Sequence, residues 1–164
     1  MAVEDKYANA NVAAGKLGNP ALMMGAVVHA LTAIEEIAAA DSDGSVYRLA
    51  TLPSNAIIKD MIVNCDAITS GTDFDLGLYT TGVGGAVVNK DLFLEGQSLA
   101  SALVVGSGVS GMTALDIADL GKKIYEHAGD TIKTKVEGYD LALTGNTVGS
   151  AAGTVTVRVE YILG

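Results

Sequence analysis

GSGVSG at residues 106–111 has the spacing G-x-G-x-x-G and follows the apolar triplet Leu103-Val104-Val105. In that arrangement a glycine-rich turn can bring a pyrophosphate up to a helix N-terminus. The chemistry also needs a long amphipathic helix directly behind the turn and an acidic ribose ligand about 20 residues further on. Gly121 interrupts the following segment and strand-like patterning surrounds it, so a surface loop is expected and no cofactor. Asp41, Asp43 and Gly44 resemble the opening of a calcium loop, but Val46 stands where the loop glycine belongs and no Glu closes the site, so a turn is expected. Asp73 and Asp75 fall on one face of an alternating strand and could share a cation, although two carboxylates seldom complete a cage. His29 and His127 lie far apart, and with the single Cys65 they lack the ligand spacing of a zinc site. Neither histidine sits beside a nucleophile and an orienting acid. Cys65 lies mid-strand in MIVNCDAI, His127 in YEHAGD reads as a polar loop residue, and Glu35, Glu36 and Glu126 read as solvated positions. No catalytic residue and no metal ligand is expected, and the chain reads as a non-enzyme.

The rest of the composition agrees with a packed domain without chemistry. The chain has 164 residues, of which 49% are hydrophobic and 18% charged, enough for one core and too apolar for a disordered tail. Ten Lys and Arg against nineteen Asp and Glu leave a formal charge of −9, a field that repels phosphate, so nucleic acid is not an expected partner. One cysteine excludes an internal disulfide and fits assembly in a reducing cytoplasm. The opening MAVEDKYANANVAA carries two acids and no long apolar run, which argues against a signal peptide. No run of apolar residues is long enough to span a bilayer as a helix, so no membrane partner is expected.

Residues 1–25 are rich in Ala, Asn and Gly, show neither period, and read as an extended arm whose apolar patch is Leu22, Met23 and Met24. That patch either folds back on its own domain or docks on another subunit. Residues 26–40 place Val27, Leu31, Ile34 and Ala38 at helical spacings, yet Val28, Ala30 and Thr32 partly meet a strand alternation, so helix and strand both stay open. From residue 41 onward turns separate short apolar runs. SVYRLATL is followed by the turn Leu52-Pro53-Ser54-Asn55, and AIIKDMIVNCDAI at 56–68 is apolar on both parities, as in a central strand covered on both sides. DFDLGLYT alternates Phe74, Leu76 and Leu78 with Asp73, Asp75, Gly77 and Tyr79, as in a half-buried strand. AVVNKDLFLEG and GYDLALTG supply further strands; residues 97–121 carry no firm assignment, and GKKIYEHAGD reads as one helical turn or a compact loop. GTVTVRVEYILG sets Val155, Val157, Val159 and Tyr161 opposite Thr156, Arg158 and Glu160, the strongest strand of the chain. About eight strands at regular turn signals predict an all-β, antiparallel, jelly-roll-like β-sandwich over residues 26–164, preceded by the arm.

Several of these features together resemble a known family. They are the Asn19-Pro20 arm within KLGNPALMMG, Leu52-Pro53-Ser54-Asn55-Ala56 leading into a strand, Asp75-Leu76-Gly77-Leu78-Tyr79, the Ala128-Gly129 corner, and the closing strand from Gly153 to Tyr161. From Lys16 onward the chain is similar to the capsid decoration, or cement, proteins of tailed bacteriophages. The resemblance implies strand over 26–40 and a structural protein on the virion exterior, made in the host cytoplasm. It would bind the major capsid protein, bridge neighbouring shell subunits, and associate with itself as a homodimer or homotrimer. It further implies that Lys16, Leu17, Asn19, Pro20, Leu22, Met23 and Met24 of the arm carry the capsid or oligomer contacts. The alternative on the same fold is a receptor-binding sandwich at the head of a fibre or spike, with loops 81–86 and 106–112 carrying recognition.

Overall fold

The computed structural model describes residues 27–132 and 136–164. Their strands are β1 His29–Ile37, β2 Ser45–Pro53, β3 Ala56–Cys65, β4 Asp73–Thr80, β5 Val87–Gln97, β6 Val109–Ser110, β7 Gly138–Thr147 and β8 Gly153–Leu163. One helical turn, α1 Ile124–His127, and a 3₁₀ turn at Ile117–Asp119 interrupt the β6–β7 connection. The strands form two four-stranded antiparallel sheets: sheet A in the order β1-β8-β3-β6 and sheet B in the order β2-β7-β4-β5. Within them β1 pairs with β8, β2 with β7, β3 with β6 and β4 with β5. Those are the partners of one long hairpin bent at the β4–β5 turn and rolled up, which is the jelly roll expected from the strand count.

Alternation decides which side chains meet between the sheets. Val155, Val157 and Val159 of β8, Met61 and Val63 of β3 and Ile37 of β1 face Phe74, Leu76 and Leu78 of β4 and Leu141 and Leu143 of β7. Each fully buried Leu or Phe contributes about 1.5–3 kcal/mol over leaving it in water. Ile68, Leu99 and Val148 complete the core from the connecting segments. Ile124 and Tyr125 of α1 join it beside β3, where the Tyr125 N–H donates to Ser54 O.

Three local expectations resolve differently. Of the two readings open for 26–40, the helix is excluded, because His29 to Ile37 pair residue for residue with Tyr161 to Gly153. The helical spacing was an accident of an alanine-rich run; in the strand Leu31 turns toward the core while Ile34 is exposed. β3 is central as expected, but its outward residues are half-buried and not covered. β4 shows the reverse: expected to be half-wet, it is buried on both faces from Phe74 to Tyr79. The cause is β5. Between the pairs Leu76↔Leu94 and Leu78↔Asn89 one residue of β4 faces four of β5, and the surplus chain bulges over the outside of β4. Gly77 lies under that bulge, where a Cβ would stand 2.0 Å from Asn89 O and 2.4 Å from the Lys90 carbonyl carbon.

Gly77→Ala must therefore push the bulge outward, and we expect a loss of about 1–3 kcal/mol. The urea midpoint compared with the wild type checks it; an unchanged midpoint would show that the bulge does not seal β4.

Candidate interaction surface

The residues singled out for chemistry are each occupied by structure. GSGVSG forms the turn into β6 and the edge strand itself, and the next helical element is only the 3₁₀ turn at Ile117–Asp119. Gly106 supplies a positive φ to the turn, and the other two glycines serve close packing: a Cβ on Gly108 would lie 2.4 Å from Asn64 Oδ1, and one on Gly111 2.7 Å from Met61 Cγ. Asp41 accepts from Ala38 N–H and Tyr47 O–H, and Asp43 accepts from Val148 N–H, so both hold turns. The Cys65 thiol is buried and pushed up in pKa by that burial. His29 stacks on Tyr161 at 5.2 Å, while His127 on α1 meets Phe93 edge-on. Among the described residues no group of three or more His, Cys, Asp or Glu could hold a metal ion. Lys16, Leu17, Asn19, Pro20, Leu22, Met23 and Met24, with the rest of the arm 1–25, lie outside the described residues.

The outer face of sheet B is closed by two polar networks. Asp73 and Asp75 do share a partner, but it is the Asn146 amide, whose Nδ2 donates at 2.9 Å and 2.6 Å. Lys90, carried over the face by the β5 bulge, places its ammonium 3.0 Å from Asp75 Oδ2, and Gly96 N–H donates to the other oxygen. A lysine thus stands where a cation would have been sought. Burial alone would raise the Asp75 pKa, yet these donors outweigh it and hold the carboxyl below its ordinary range. The second network centres on Asp140, which accepts from Thr51, Arg48 and Gly82 N–H at 2.7, 2.8 and 3.0 Å. Arg48 also donates to Thr80 O and Gly85 O and lies over the Tyr79 ring, pinning the base of loop 81–86. Here too burial opposes ionisation and the donors win, so the Asp140 pKa is lowered.

Sheet A keeps an open outer face. Thr32, Ile62, Thr156 and Arg158 floor a groove of about 340 Å³ whose wall is Val105 and Gly106. A neighbouring hollow of about 320 Å³ runs along Leu103, Val104, Asp66 and Thr154, with Asn64 common to both. Val105 is 91% exposed and Val104 beside it is largely exposed, as is Ile34 on the outward face of β1. The Asn64 Oδ1 atom is buried there without a hydrogen-bond partner among the described residues. Apolar tips and one guanidinium suit this face to docking. Sequence reasoning missed it. The available signal was Val104-Val105 standing outside any alternating run, directly before a Gly-Ser turn.

The electrostatics predict how stability varies with pH. Asp75 and Asp140 have folded pKa values below their unfolded ones, so their contribution is present above about pH 4 and is lost as pH falls further. Asp75→Asn and Asp140→Asn should each cost about 1.5–3 kcal/mol at neutral pH, with the difference from wild type shrinking in acid. Tyr47 is pushed up to about 12 by burial and by its bond to Asp41, and Tyr139 to about 12 by burial and its bond to Asp130. Their stabilisation is complete below the unfolded value of about 10 and disappears as pH rises from there through the folded values. Urea unfolding across the pH range, with tyrosinate absorbance at the alkaline end, checks both limbs.

No family model matches the chain, and no curated protein matches it in sequence. Solved structures do match. A chain in the capsid of Ralstonia phage GP4 superposes with a TM-score of 0.57 at 16% identity, over 84% of this chain and 85% of that one. A chain in the cyanophage Pam1 capsid asymmetric unit superposes with a TM-score of 0.52 at 18% identity, over 90% of this chain and 93% of that one. At such identities the likeness is one of fold, and the jelly-roll sandwich of this chain is a fold that occurs in phage capsid structures.

Proposed function

We propose that this chain is a structural, non-enzymatic virion protein: a decoration or cement protein that binds the outer surface of a phage capsid and bridges neighbouring major capsid subunits. The observation that carries the reading is the near full-length likeness to chains of two phage capsid structures. The open face of sheet A supports it, because a shell-binding protein needs a docking surface. The family resemblance supplies the finer parts: placement on the exterior, self-association, and contacts from Lys16, Leu17, Asn19, Pro20, Leu22, Met23 and Met24. A clamp that binds two subunits binds only the assembled lattice, so its binding energy stabilises the shell by linkage, and many weak attachments add through multivalency. The net charge of −9 suits an exterior position, where it keeps particles apart and away from nucleic acid.

Deletion of residues 1–25 should leave the sandwich folded by circular dichroism while occupancy on purified particles falls to background. Full occupancy of the truncated protein would remove the arm from the contact. Quantitative mass measurement of intact particles tests the larger claim. A lattice clamp is present in hundreds of copies, whereas a fibre or spike head reaches a few tens at most.

A further inference from the structure

The four outer edges of the two sheets are unequally protected. β2 carries a bulge between Arg48 and Ala50 and ends in Pro53, β5 is bulged along its length, and β6 is two residues long. These are the ordinary devices that stop a sheet from adding strands. β1 has none of them. It runs nine residues, HALTAIEEI, in unbroken register with β8, with neither Pro nor Lys, and no described strand lies on its other side.

The ladder shows which main-chain groups are left over. Cys65 and Leu103 exchange both of their bonds on the β6 side of β3, while Asp66 N–H donates to Thr154 O on the β8 side. In an antiparallel ladder direction alternates residue by residue, so Thr154 and Thr156 of β8 face β3, and Val155, Val157 and Val159 face β1. Their partners Glu35, Ala33 and Leu31 are therefore bonded inward. Ala30, Thr32, Ile34 and Glu36 turn their N–H and C=O groups to the free edge, and no described residue takes them.

We propose that this edge is completed by β1 of a second copy, antiparallel about a two-fold axis, so that two sheets A fuse into one eight-stranded sheet. Charge selects this occupant and direction. A parallel pair would stack Glu35 and Glu36 on their own copies. An antiparallel register about Thr32 instead sets Glu35 opposite His29, Glu36 opposite the exposed Val28, and Ile34 opposite Ala30, with no like charges meeting. The proposal deepens the self-association part of the function proposed above, and it selects dimer over trimer. It is tested on the isolated full chain, so failure here leaves shell binding to be judged by particle occupancy.

Sedimentation equilibrium of the wild type should give a dimer. Thr32→Pro and Ile34→Pro each delete an outward N–H without touching the β1–β8 ladder, and by symmetry each substitution counts twice. The dissociation constant should rise about tenfold or more, since tenfold corresponds to 1.4 kcal/mol. Ile34→Lys, which leaves the backbone intact, should also yield monomer if proline disturbs folding. Hydrogen exchange gives an independent reading: the Thr32 and Ile34 amides should be protected when concentrated and exchange freely on dilution. A wild-type monomer, a trimer, or a dimer indifferent to all three substitutions would overturn the proposal. So would protection that survives dilution, which would assign the edge to residues 1–26 of the same chain.

Discussion

Sheet A exists because of β8. That strand pairs with β1 on one side and β3 on the other, whereas β3 and β6 share only two residue pairs. Removing β8 would leave sheet A without a ladder of any length. Its alternation of Val155, Val157 and Val159 with Thr154, Thr156 and Arg158 fixes the inside of the sandwich, because a slip of one residue would bury Arg158 and expose three valines. The register of β1 and β3, and with it the groove on the outer face, follows from that single choice. Since β1 and β8 stand at opposite ends of the described chain, this pairing closes the longest loop in the fold, and slow folding is the expected cost of such a topology.

Legibility in the sequence followed the same logic. β8 was read with its faces assigned correctly because one side of the sheet is dry and the other wet. β3 and β4 were read with burial interchanged, because what covers a strand's outer face is decided by distant chain. Nothing in DFDLGLYT announces that β5 will arch over it, and the bulge becomes visible only as a mismatch in pairing. β1 stayed ambiguous because alanine satisfies both periods and the deciding partner lies more than a hundred residues away. β6 escaped because two residues make no pattern. The groove of sheet A is formed by β1, β3, β8 and the loop before β6, and no local window contains all four.

The two faces divide the labour. Sheet B spends its buried carboxylates on its own chain: Asp75 on Lys90, Asn146 and Gly96, and Asp140 on Arg48, Thr51 and Gly82. Buried carboxylates so fully hydrogen-bonded rigidify the sheet and leave it little to offer a partner. Sheet A keeps the Arg158 guanidinium exposed and its apolar tips outward. An acidic protein with no reactive centre can still be specific in this way, through one face that is self-complete and one that is not.

Loop 81–86 combines a fixed base with an empty tip. Arg48 and Asp140 clamp it from beneath through Thr80, Gly82 and Gly85, while Val83 between the two glycines is fully exposed. A foreign peptide spliced between Gly82 and Gly84 would leave the protein on a rigid stem, clear of the core and of both sheets, so cargo could be displayed there without renegotiating the fold.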